Sequence, residues 1–186
     1  MKKTIVLLVV LMMALLSLYG CSKNAEGASA GSIPLKEDEE LYSVDDKYYL
    51  IKNKSYEADV VNGEHYIYFD QEAFAVGTTS KDEFKSKLND ELAAKFMESV
   101  KSSYNSNAWS DYTVISEPEK ISINGIDAWK TSFSMKHDKE FAYKGAVVIF
   151  VANKSLATIA FTSPEDMYEQ YIAAYDELVD SIEIIK

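Results

Sequence analysis

The chain has 186 residues, with 19 basic against 30 acidic side chains, a formal net charge of −11, one cysteine and 47 % hydrophobic residues. Every basic residue is lysine. The composition is too apolar and aromatic for a disordered chain, too poor in cysteine for a disulfide scaffold and too acidic for an ordinary nucleic-acid binder.

The first twenty-one residues read as an address. Met1-Lys2-Lys3 is a short positive start, Ile5 to Leu16 is an unbroken apolar run, and Ser17-Leu18-Tyr19-Gly20-Cys21 follows. Positive start, short apolar stretch and a small residue before a cut make a signal-peptide layout. A stable span needs about 20 apolar residues, so the segment is expected to be removed on export. Leu18-Tyr19-Gly20-Cys21 resembles the lipobox of bacterial lipoproteins. That resemblance implies cleavage after Gly20, a diacylglycerol on Cys21, and attachment to the membrane through lipid. Cleavage would leave 17 basic against 30 acidic residues, a surface repelled by nucleic acid and anionic lipid.

Residues 21–40 hold Cys21 and then a small, polar stretch that reads as a flexible tether, with the acidic run Glu37 to Glu40 as its solvated end. Residues 41–186 are long enough for one domain with an ordinary core.

Within that domain Tyr48 to Ile51, Tyr56 to Val61, His65 to Phe69 and Ala73 to Thr79 read as short strands. Ser80-Lys81-Asp82-Glu83 has the form of a capping box. Phe84, Leu88, Leu92, Phe96, Val100 and Tyr104 recur behind it at helical spacing, which predicts a helix over 81–104. Tyr112 to Ile115 and Ile121 to Ile123 read as strands, and Asn124-Gly125 as a hairpin turn. Ile126 to Met135 alternates, with Trp129, Thr131, Phe133 and Met135 on its buried face. Ala146 to Ala152 is continuously apolar, as a strand covered on both faces must be. Asn153-Lys154-Ser155 turns the chain into Leu156 to Thr162. A second helix is predicted to open at Ser163-Pro164-Glu165-Asp166, with Ser163 as cap, and to carry the stripe Tyr168, Tyr171, Ile172, Tyr175, Leu178, Val179 and Ile182. Hairpin-length links make the sheet antiparallel, and the class is α+β with helices packed on the sheet.

Ile123-Asn124-Gly125-Ile126-Asp127-Ala128, the strands from Lys144 and Ala157, and the closing helix ending at Ser181-Ile182 together resemble the PsbP-like families, which include DcrB- and LpqN-type bacterial lipoproteins. The resemblance implies an antiparallel sheet flanked by helices, an α/β/α sandwich. It also implies a binding or accessory role without catalytic residues.

The residues themselves nominate little chemistry. His65 and His137 lie on different segments without metal-ligand spacing, His65 in a strand and His137 in a turn, so no metal and no cofactor is expected. There is no phosphate loop and no nucleophile elbow. The aromatics are the remaining candidates. Tyr66, Tyr68 and Tyr143, with Trp109 in the polar loop Ser106 to Ser110, are candidate interface residues. The expected function is a non-catalytic protein-binding or accessory module, tethered outside the cytoplasm and meeting an envelope protein. The alternatives are a small-ligand or transport accessory with a pocket between sheet and helix, and more remotely a hydrolase using paired carboxylates.

Overall fold

The computed structural model describes residues 33–104 and 109–185. The signal segment, Cys21, most of the tether and the loop residues before Trp109 lie outside the described residues.

Strands β1 (Glu39–Val44) and β2 (Tyr48–Asn53) form a hairpin whose turn places Asp45 and Asp46 at φ 50° and 52°. Aspartate enters this left-handed region more readily than most residues. Strands β3 (Glu57–Val61) and β4 (Glu64–Tyr68) close on Asn62-Gly63, both with positive φ, the pair that a two-residue hairpin demands. Strand β5 (Phe74–Thr79) and helix α1 (Asp90–Tyr104) follow. Then come β6 (Trp109–Val114), β7 (Glu119–Ile123), β8 (Ile126–His137), β9 (Phe141–Ala152) and β10 (Ser155–Pro164). A 3-10 turn (Glu165–Met167), helix α2 (Tyr168–Asp180) and β11 (Glu183–Ile184) complete the described chain.

The large sheet runs β3-β4-β5-β10-β9-β8-β6, with β7 also paired to β8, and a small sheet runs β1-β2-β11. All pairings are antiparallel. Strand β9 is the hinge of the packing. Val147 and Ile149 face a core closed by Ala93 and Met97 of α1, with Trp129, Phe133 and Met135. Ala146, Val148 and Phe150 face the other core, closed by Tyr175, Leu178 and Val179 of α2 and by Val44, Tyr48 and Leu50 of the small sheet. The α+β sandwich expected from the sequence is the observed architecture.

Four local expectations are corrected. Helix α1 starts at Asp90, not beside Ser80. The Ser80 amide donates to the Leu156 carbonyl at 2.7 Å, the Leu156 amide donates to Ser80 Oγ at 2.9 Å, and the Phe84 amide donates to the Lys154 carbonyl at 2.6 Å. Ser80 is thus committed to the sheet rather than to a cap. Asn89 caps instead, its Oδ1 accepting the Leu92 amide at 2.9 Å. Ser163 is buried in β10 and makes no cap bond, so α2 begins five residues later, after the 3-10 turn. Glu39 and Glu40, read as tether, form the start of β1, where Lys52 pairs with Glu40 at 2.5 Å. Trp109 and His137, read as loop and turn, are the first residue of β6 and the last of β8, and they pair in register.

Gly145 lies at the crowded centre of the sheet. A Cβ there would stand 2.3 Å from Phe133 Cζ and 2.3 Å from the Phe161 carbonyl oxygen. Backbone cannot yield as a flexible side chain can, so Gly145→Ala is expected to cost about 3 kcal/mol or more, the upper end of overpacking. Urea unfolding that showed an unchanged midpoint would contradict this packing.

Candidate functional site

Cross-strand partners point to one face of a sheet, and residues two apart along a strand share it. In the large sheet His137 stands opposite Trp109 and Phe141, and Met135 opposite Tyr143. Ala160 stands opposite Val76, Val76 opposite Tyr66, and Phe74 opposite Tyr68. Trp109, Tyr143 and Ala160 pack against the α1 core, so Tyr66, Tyr68, Phe74 and Val76 lie on that same face. Four residues nominated from three separate segments therefore share the α1 face of the large sheet.

They form two groups. At one end Trp109 stands edge-on to His137 (centroids 4.7 Å) and to Tyr143 (5.1 Å), beside Phe141, which is 55 % exposed. At the other end Tyr66 and Tyr68 stack at 6.0 Å, with Phe74 5.9 and 6.1 Å from them. All but Phe141 are half-buried. Burial, followed by the nearby carboxylates of Glu72 and Asp166, holds the Tyr143 phenol above its usual range. Burial and then Asp59 and Glu57 do the same for Tyr68. These rings therefore offer neutral hydroxyls and apolar faces, a combination suited to contact rather than to proton transfer.

Phe74 and Phe141 belong to this face but were not among the sequence candidates. Alternation in β5 was the available signal for Phe74. Phe141, the first residue of β9, precedes the apolar run that marks that strand and carried no signal of its own.

The opposite face carries a shallow groove of 330 Å³, lined by Thr113, Ser134, Ala142 and two ion pairs, Lys136–Asp111 at 3.1 Å and Lys144–Glu165 at 3.0 Å. It lies beside the 3-10 turn, on the sheet, not between sheet and helix.

The two imidazoles are on opposite faces. His65 is 8 % exposed on the α2 face, while His137 belongs to the aromatic group described above. No metal-binding cluster occurs among the described residues. His65 instead joins the two sheets: Nε2 meets Asp45 Oδ1 at 2.9 Å and Nδ1 meets the Tyr42 hydroxyl at 3.1 Å. Asp45 Oδ2 also accepts the Thr79 hydroxyl at 2.6 Å. With Asp45 accepting from Nε2–H, Nδ1 accepts from Tyr42, and every polar atom of the ring is used. Burial raises the Asp45 pKa, but the hydrogen bonds from Thr79 and His65 outweigh it and leave the carboxyl below its usual value. A depressed carboxyl stabilises the fold above its unfolded pKa, and that contribution is lost as pH falls through the folded one. Asp45→Asn keeps the left-handed turn and removes the charge. It is expected to lower stability at pH 7 by about 1–2 kcal/mol and to flatten the loss of stability below about pH 4. Equal acid-unfolding slopes for the two proteins would count against the assignment.

No protein-family model matches the sequence, and no curated protein matches it. Among solved structures, the solution structure of cyanobacterial PsbP (CyanoP) from Synechocystis sp. PCC 6803 aligns with a TM-score of 0.59 at 12 % identity, over 86 % of this chain and 98 % of that one. PA94 of Pseudomonas aeruginosa, described as a protein of unknown function and putative regulator, aligns at 0.48 with 10 % identity over 77 % and 94 %. LpqN of Mycobacterium tuberculosis, described as involved in cell envelope biogenesis, aligns at 0.43 with 12 % identity over 83 % of each chain. Identities this low speak to fold and not to function. The antiparallel sheet between helices is that of the PsbP-like proteins, and this chain has the PsbP-like fold.

Proposed function

We propose that the protein is an extracytoplasmic lipoprotein, held at the membrane by lipid on Cys21, whose domain acts as a non-catalytic protein-binding or accessory module at the cell envelope. One observation carries the binding reading: Trp109, Tyr143, Tyr66 and Tyr68 share one sheet face with Phe74 and Phe141. Aromatic residues are over-represented at the energetic centres of protein interfaces, because a rigid ring buries much area at small entropic cost. The anchor rests on the lipobox-like Leu18-Tyr19-Gly20-Cys21. No helix among the described residues is long and apolar enough to cross a membrane.

The second reading, a carrier of small ligands, draws on the groove beside the 3-10 turn. Its two ion pairs would have to open to a ligand, which sets a desolvation cost against binding. The protein partner is therefore the preferred reading.

Crosslinking in intact native cells, followed by purification and mass spectrometry, tests it. One partner in near-equal amount is expected, with recovery reduced at least about tenfold by Trp109→Ala, the size of loss typical of an aromatic anchor. No reproducible partner with the wild-type chain would overturn the binding reading. The anchor is tested separately. Acylation should be detected on the wild-type chain and abolished by Cys21→Ala, and an unacylated wild type would remove the lipoprotein assignment.

A further inference from the structure

Resting on the binding reading above, the inference concerns what meets the β3-β4-β5 end of the aromatic face. Residues 55–80 contain five acids, Glu57, Asp59, Glu64, Asp70 and Glu72, and no lysine, although the chain has 19 lysines in all. Elsewhere the surface acids are frequently answered by lysine: Glu39 by Lys36, Glu91 by Lys95, Asp127 by Lys120 and Asp176 by Lys130. Among the described residues none of the five acids has a lysine partner.

Two of these carboxylates belong to the aromatic face itself. Glu57 stands opposite Tyr68 and Asp59 opposite Tyr66 in the β3–β4 register, so each acid is beside a ring on the same face. Asp59 spends one oxygen on the Val60 amide at 2.7 Å. That bond covers part of the outer edge of β3, which argues against strand addition there and for recognition by side chains. Glu64 accepts the Tyr66 hydroxyl at 2.9 Å, which fixes the tilt of that ring.

Ring faces carry negative potential, and a carboxylate beside the ring adds to it. A cation held over Tyr68 and Phe74 with Glu57 and Asp59 at its side would meet both at once. An apolar partner would leave the carboxylates desolvated and unpaired, and an acidic partner would be repelled. We propose that the β3-β4-β5 end of this face docks a lysine- or arginine-bearing segment of the envelope partner, with Tyr68 and Phe74 as the platform and Glu57 and Asp59 as the counter-charges.

The test uses the full-length lipoprotein in detergent micelles and a fluorescent peptide of alternating lysine and threonine, read by polarisation. Saturable binding that weakens as salt rises is expected. The double variant Glu57→Gln/Asp59→Asn and the single variant Tyr68→Thr should each weaken it at least about fivefold. Glu117→Gln/Glu119→Gln makes the same change in net charge elsewhere and should alter it less than about twofold. Equal weakening by the two charge-matched pairs, or no saturable binding to the wild type, would overturn the proposal. Crosslinking in cells separates this inference from the reading beneath it. A partner retained by Glu57→Gln/Asp59→Asn but lost by Trp109→Ala removes the cationic segment and leaves the binding module standing. Absence of any partner with the wild type removes the binding module.

Discussion

Strand β9 is buried on both faces, and the architecture is organised around that constraint. Ala146 to Phe150 are all at 0 % exposure. A strand with apolar side chains on alternate faces needs cover on both, which one layer cannot supply. Helix α1 closes one side; α2 and the small sheet close the other. Gly145 shows how tightly the centre is filled, since Phe133 and the Phe161 carbonyl occupy the space of a missing methyl.

The uneven reach of that cover leaves the aromatic face half-buried. Helix α1 has 15 residues, so it is about 22 Å long and about 10 Å wide. Seven strands in series at about 4.8 Å spacing span about 29 Å. Its main contacts are to β6 and β8. The β4 and β5 end of the same face is left with half-buried rings rather than a closed core. The opposite face meets a broader lid because β1, β2 and β11 extend it, and the Asp45–His65–Tyr42 connection ties that lid to the large sheet. Tyr175, buried at the middle of α2, donates its hydroxyl to the Ile159 carbonyl at 2.8 Å, so this layer is joined by hydrogen bonds as well as by apolar contact.

Charge follows the same division. In α2 and around β8, lysines meet carboxylates, as in Lys130–Asp176, where the ammonium also lies 5.9 Å from the Tyr175 ring. Such exposed pairs add little stability, but they cancel local fields. The lysine-free end at β3 to β5 keeps its field, and a field left uncompensated acts on association and partner choice more than on folding.

Elements with a strong local period were legible in the sequence. The alternation of Trp129, Thr131, Phe133 and Met135, the Asn124-Gly125 turn, the apolar run of β9 and the stripe of α2 each encode their conformation within a few residues. Helix starts were not, because Ser80 and Ser163 have good cap chemistry that the sheet claims first through backbone pairing. The two-residue strand β11 and the polar β1 carry no period to read; β1 pairs with β2 as a local hairpin, while the pairing of β11 with β2 spans most of the domain. Composition and the N-terminal pattern set the export and lipid expectations without reference to the fold. Local sequence context singled out Trp109, Tyr66, Tyr68 and Tyr143 as aromatics of interest. Only the tertiary structure decided that these four share a face, because a side chain's face depends on strand register, and register is fixed by partners distant in the chain.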